Sequence, residues 1–144
     1  MTRPSRDEVL RETAFTWATR STCDRLHVGC VIHRDGRIIS VGYNGAPAGL
    51  PHCDPNHSTE ECRAVHAEQN AIAYAAKHGV ALAGASMVVT HQPCKSCAMS
   101  IINAGIGHVV FVYSYRLIDG LSLLMDAGIP VEKYIDQSIS KVVE

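Results

Sequence analysis

What this chain lacks narrows its chemistry before any motif is read. It has no excess of charge of either sign, since 13 Lys and Arg stand against 14 Asp and Glu for a net of −1. The basic footprint that binds a nucleic-acid backbone is therefore missing, and no nucleic-acid partner is expected. No apolar run approaches the ~20 residues needed to span a bilayer, so no membrane partner is expected either. The opening stretch MTRPSRDEVLRETAFTW is too charged for the apolar core of a secretory leader, and the expected location is cytoplasmic. Repeats and low-complexity tracts are absent. With 47% hydrophobic and 19% charged residues in 144, the expectation is one globular domain over residues 1–144.

Cysteine is what the chain does have, at positions 23, 30, 53, 62, 94 and 97. In a reducing compartment these read better as metal ligands or core residues than as disulfides. Cys30, inside the apolar run CVI, reads as a small core residue.

Ser5 and Glu8 form a capping box for a first helix carrying Val9, Leu10, Ala14, Trp17 and Ala18 at roughly helical spacing. GCVIHRDGRIISVGY reads as a β-hairpin turning at Asp35-Gly36. NGAPAGLPHCDPNH, rich in Gly, Pro and Asn, must be loop. HAEQNAIAYAAKHG reads as a helix ended by Gly79, SMVVT (86–90) as a strand, and CKSCAMSIINAG as a second such helix ended by Gly105. HVVFVYSY reads as a strand, GLSLLMDAG as a helix, and IPVEKY as a last, edge strand. Alternation of α and β after a hairpin favours a mainly parallel sheet with helices on its faces, with sites where strands end and helices begin.

Two motifs fall at such junctions. His66-Ala67-Glu68 opens one helix, and Pro93-Cys94-Lys95-Ser96-Cys97 opens the next. One imidazole and two thiolates suit Zn²⁺, and three protein ligands leave a tetrahedral ion one position for water. Zinc lowers the pKa of a water ligand from ~15.7 toward ~7. A carboxylate near the metal, but not bound to it, can then carry protons, and Glu68 is the candidate. Residues two apart on a regular helix point about 200° apart, so convergence of His66 and Glu68 requires a break between Cys62 and His66. The possible capping box Ser58-x-x-Glu61 argues against such a break. Pro93 suits a helix entrance, where free amides stabilise thiolates. Each motif has a plainer reading alone: His-x-Glu is common, and C-x-x-C also occurs as a redox dithiol. The combination of H-x-E with P-C-x-x-C is the signature of zinc-dependent nucleobase deaminases.

The blocks STCDRLHVGCVIHRDGRIISVGYNGAPAGLPHCD, HAEQNAIAYAAKHG and VTHQPCKSCAMSIINAGIGHVVF, in that order, resemble deoxycytidylate (dCMP) deaminases of the cytidine deaminase superfamily. The resemblance covers about Arg20 to Pro130. It implies a three-layer α/β/α sandwich around a central mixed five-stranded sheet. It also implies hydrolysis of dCMP to dUMP and ammonia in a homo-oligomer, often a hexamer, with dCTP and dTTP as possible effectors. His66, Cys94 and Cys97 would hold the catalytic zinc and Glu68 would shuttle protons. Asn70 resembles an asparagine that contacts the sugar, and Asn44 lies in GYNGAPAG, which resembles a loop that closes over nucleotide. Gly42 and Gly45 would allow close approach of a ligand there, though the stretch alone is equally a turn.

For the phosphate, Arg25 and Arg116 are candidates, the latter in Tyr115-Arg116, which resembles a Tyr-Arg pair of the family after the strand; a guanidinium suits phosphate by binding it bidentately. Either is equally an ordinary surface arginine. Tyr115 could pack against the base or simply close a strand. Cys23, Cys53, His57 and Cys62 would make a closed Cys₃His set for a second, structural zinc of the kind several relatives carry. Histidines 27, 33, 78, 91 and 108 are expected at the surface or in loops. Three rival functions stay open from the residues: a deaminase acting on guanine, a riboflavin precursor or tRNA adenosine; a catalytically silent zinc or nucleotide-sensing module; and a dithiol oxidoreductase.

Overall fold

The structure, a computed structural model, describes residues 2–59, 61–135 and 138–141. Helix α1 (Arg6–Ala18) is followed by strands β1 (Gly29–Arg34) and β2 (Arg37–Tyr43), then by α2 (Ala67–Lys77), β3 (Ser86–His91), α3 (Lys95–Asn103), β4 (His108–Tyr113), α4 (Asp119–Asp126), β5 (Val131–Ile135) and β6 (Ser138–Lys141). The Ser5–Glu8 capping box is formed in both directions. Asp35 and Gly36 turn the β1–β2 hairpin with φ of 51° and 85°, the left-handed pair that matches strand twist.

The sheet order is β2-β1-β3-β4-β5-β6. Strands β3, β4 and β5 run parallel, and β1 is antiparallel to both β2 and β3. These five make the expected mixed sheet. The short β6 pairs antiparallel to β5 and takes over the edge that β5 was expected to form. Alternation along the strands assigns the two faces. Cys30, Ile32, Met87, Val89, Val109 and Phe111 bury against α2, α3 and α4, whereas Val31, Val88, Val110 and Val112 bury against Leu10 and Ala14 of α1. Three layers result. No helix among the described residues is long and apolar enough to cross a membrane.

Close backbone packing seats the helices. A Cβ on Gly42 would lie 2.1 Å from the Ala67 carbonyl oxygen and 2.6 Å from the Ala71 nitrogen. Gly42 therefore serves contact between β2 and α2, not the approach of a ligand as its loop suggested. β4 ends at Tyr113, so Tyr115 belongs to the following loop and not to the strand.

Candidate active site and metal centre

The entrance to α2 is built by strand-like pairing that stops the helix from starting early. Val65 and Gly45 exchange backbone hydrogen bonds of 2.8 and 3.2 Å, an isolated bridge that keeps residues before His66 extended. Ser58 and Glu61 do form their reciprocal capping bonds, yet only a turn follows them. His66 becomes the N-cap of α2 with extended backbone (φ −67°, ψ 152°), and Glu68 lies in the first turn. The required break is present, and the two side chains converge.

Across from them, Cys94 is the N-cap of α3, and Cys97 lies one turn inside at zero exposure. His66 Nδ1 is 3.2 Å from Cys97 Sγ and 3.4 Å from Cys94 Sγ. All three donor atoms lie within 4.8 Å of one another, and both cysteines are free thiols. Bond lengths of ~2.1 Å to nitrogen and ~2.3 Å to sulfur in a tetrahedron separate such donors by about 3.6 Å, so the set fits Zn²⁺ with shifts of a few tenths of an ångström.

Glu68 is 4% exposed. Its carboxyl meets the Cys97 thiol, and burial pushes its pKa up to about 7 against the opposing pull of its own backbone amide and of His66. Cys94 is drawn down to about 3 by hydrogen bonds from Cys97 and His66, while Cys97 is held protonated above its ordinary range by Cys94 and by burial. His66 is raised by its bond to Cys94. One thiolate thus stands ready, and metal loading must release the Cys97 proton.

His66, Glu68 and Cys94 line a cavity of about 190 Å³ together with Asn44, His91, Gln92 and Tyr115. Asn44 is buried, accepting from the Val28 N–H (2.8 Å) and donating to the Leu26 carbonyl (2.6 Å), so it shapes the wall with both of its polar ends. His91 stacks on Tyr115 with centroids 6.0 Å apart and planes at 22°. Its expected place in a loop is corrected: it ends β3 inside the cavity, and burial lowers its pKa.

Two further candidates lie outside this cavity. Asn70 does not enter the cavity. Its amide donates to the Tyr43 (2.7 Å) and Val65 (3.3 Å) carbonyls, and it lines a separate groove of about 520 Å³. The one-turn rule placed it beside His66, but an N-cap residue is rotated off the helical face that the rule assumes. Asn70 instead clamps the extended entrance on which the His66–Glu68 geometry depends. Arg25 is also elsewhere. Its guanidinium holds Thr59 Oγ1 (2.7 Å) and the His57 carbonyl (2.8 Å), bracing the loop after β2.

That loop brings Cys53, His57 and Cys62 within 4.8 Å of one another. His57 Nδ1 lies 2.8 Å from the Asp54 carbonyl, which fixes the proton on Nδ1. Nε2 then carries a lone pair, and it is buried with no partner. The Arg63 N–H donates to Cys53 Sγ at 3.1 Å. The Ala64 amide pulls the Cys62 thiol down, but burial, Cys53 and Cys23 outweigh it and raise its pKa. A buried orphan imidazole nitrogen facing two thiols fits a second metal. Cys23, buried and lining the main cavity, lies outside this close trio. Sequence reasoning missed His91 and Gln92 because nothing in their spacing marks a strand end that faces a cavity.

Fold and site together define a metal-dependent hydrolase whose three protein donors leave water a place beside a buried carboxyl. The chain belongs to the cytidine and deoxycytidylate deaminase family, whose zinc-binding-region model matches residues 4–113. It is 41% identical over 138 residues to ComE operon protein 2 of Bacillus subtilis, covering 92% of this chain and 73% of that one. It is 38% identical over 126 residues to the deoxycytidylate deaminase of Mycobacterium phage D29, covering 77% and 97%. The dCMP deaminase of cyanophage S-TIM5, solved in complex with dCMP and dUMP, superposes with a TM-score of 0.82 at 32% identity over 92% of this chain and 99% of that one.

Proposed function

We propose that this chain, acting as one domain, hydrolyses dCMP to dUMP and ammonia. The observation that carries the reading is the buried Glu68 carboxyl in contact with the Cys97 thiol of the His66, Cys94 and Cys97 donor set. The cyanophage relative bound to dCMP and dUMP supports the substrate.

His66, Cys94 and Cys97 would hold the zinc, which when bound supplies the Lewis acidity that makes water a nucleophile at neutral pH. Glu68 takes a proton from the attacking water as the new C4–O bond forms, and delivers it to ring N3. It then passes the water's second proton to the exocyclic amine as the C4–N bond breaks. Ammonia leaves and the uracil carbonyl remains. A carboxyl whose pKa lies near neutrality can both accept and return these protons. Tyr115 and His91 offer a stacked pair of rings beside the reacting position, and Asn44 holds the opposite wall. Cys53, His57 and Cys62, with Cys23, which acts electrostatically on Cys62, would hold the second zinc in a structural role.

Assembly as a homo-oligomer, control by dCTP or dTTP, and a cytoplasmic location belong to the same reading. The test is ammonia release from dCMP, CMP, cytidine, guanine and tRNA by protein of known zinc content. Turnover of dCMP well above the others is expected. Inert dCMP beside an active alternative would refute the substrate.

A further inference from the structure

We propose that His91 is a positioning residue for the reaction: pinned by Thr90 and wedged between Tyr113 and Tyr115, it holds the Tyr115 ring as the platform on which the base of the nucleotide stacks; this deepens the deaminase reading and rests on it. His91 and Tyr115 both line the metal cavity, beside Glu68 and Cys94. Tyr115 lies beyond the end of β4 on an exposed loop and is itself 41% exposed. Its neighbours Arg116 and Leu117 line a different groove, so Tyr115 alone carries this loop into the metal cavity.

The backbone of the loop and the ring of Tyr115 are fixed by different residues. Gln92 sees to the backbone, since its Oε1 accepts the Tyr115 N–H at 3.0 Å and its Nε2 donates to the Leu117 carbonyl at 2.7 Å. Rotation about the Tyr115 Cα–Cβ bond would still carry the ring out of the cavity without disturbing either bond. Among the described residues its ring contact is with His91 alone, at 6.0 Å between centroids and 22° between planes.

His91 can hold a neighbour because it is held itself. Thr90 is fully buried, and its Oγ1 accepts the Gly29 N–H of β1 at 3.1 Å. The hydroxyl proton is then free for His91 Nδ1, which lies 2.7 Å away. That bond fixes the ring orientation and leaves the imidazole proton on Nε2. Burial keeps the ring neutral, as an accepting Nδ1 requires. On the far side lies Tyr113, in register with His91 across β3 and β4, with centroids 5.1 Å apart and planes at 50°. Tyr113 in turn meets Phe15 of α1 edge-on at 5.8 Å. The sheet and α1 thus set the angle of Tyr115 through one imidazole. A ring set in advance loses less entropy when a base stacks on it. Stacking holds the base equally before and during the chemical step, so its loss belongs in KM and not in kcat.

The experiment is steady-state kinetics of the zinc-loaded protein on dCMP, calorimetric titration of the same protein with dUMP, and proton NMR of its tyrosine rings. His91→Ala, His91→Phe, Tyr115→Ala and the double variant His91→Ala/Tyr115→Ala are compared with wild type, and the exposed Arg37→Ala serves as control. Tyr115→Ala also identifies the Tyr115 ring signals by their loss. His91→Ala is expected to raise KM for dCMP and Kd for dUMP about ten-fold, with kcat within about two-fold, and to move the Tyr115 signals in the absence of ligand. His91→Phe, which keeps a ring in the stack, should recover most of that loss. The double variant should be no worse than Tyr115→Ala, because a residue that works only through Tyr115 then has nothing left to position. Additive losses in the double variant, or a KM for His91→Ala within about two-fold of wild type, would overturn the role while leaving the deaminase intact. Wild type inert towards dCMP but active on guanine or another base, with the same pattern in its KM, would keep the role and remove the dCMP assignment.

Discussion

Replacing Glu68 by Gln separates the cost of a buried carboxyl from its use. The side chain is 4% exposed, and burial lifts its pKa from 4.5 to about 7. A folded value above the unfolded one means that ionising this group weakens the fold. The penalty appears as pH rises from about 4.5 and is complete above about 7. At ~1.36 kcal/mol per unit the shift corresponds to about 3 kcal/mol. Glutamine keeps the shape and removes the charge. At pH 8 the chelator-treated variant should thus be more stable than chelator-treated wild type by up to about 3 kcal/mol, a rise in Tm on the order of 10 °C. At pH 4.5 the two should melt together. Turnover should fall in the opposite sense, by about 10³-fold or more, because the proton carrier is gone. Zinc content should stay the same. Melting curves at the two pH values, metal analysis and ammonia release on one preparation make the test. A variant that keeps a tenth of wild-type turnover, or that loses zinc, refutes the reasoning.

Metal analysis should find two zinc ions per chain, and His57→Ala should leave one, with a lower Tm but continuing turnover; two ions retained would rule out the orphan imidazole as a ligand. Cys97→Ser should abolish turnover together with zinc at the His66 site, read by the same analysis. Gly42→Ala drives a Cβ into the Ala67 carbonyl. It should cost about 1–3 kcal/mol by thermal melting and reduce turnover further, since α2 carries Glu68. Burial, then His108, lower the pKa of His33, with Arg6 adding to the shift and Asp7 and Asp35 opposing it. The unfolded chain therefore takes up a proton that the fold refuses, and stability should drop as pH falls below about 6.5. His33→Gln should flatten that drop in urea midpoints between pH 7.5 and 5.5, though His91, lowered by burial in the same sense, will keep part of it.

Element types and the candidate metal donors were legible in the linear chain because local rules write them there. A period of two or of 3.6, a capping serine, a left-handed Asp-Gly pair and C-x-x-C at a helix entrance each act within a few residues. By these rules His66, Glu68, Cys94 and Cys97 could be named from spacing, and even the break before His66 follows from the angle between residues two apart. What the chain could not announce is which polar side chains are spent on backbone. Asn70, Arg25 and Gln92 each look like ligand-binding residues or bystanders until Val65, Thr59 and the Tyr115–Leu117 loop come from a distance to occupy them. The seating of His91 between Tyr113 and Tyr115 likewise needed the tertiary fold. Local geometry is set by neighbours in sequence, whereas the satisfaction of a buried hydrogen bond is settled by whatever the packed fold puts within 3 Å.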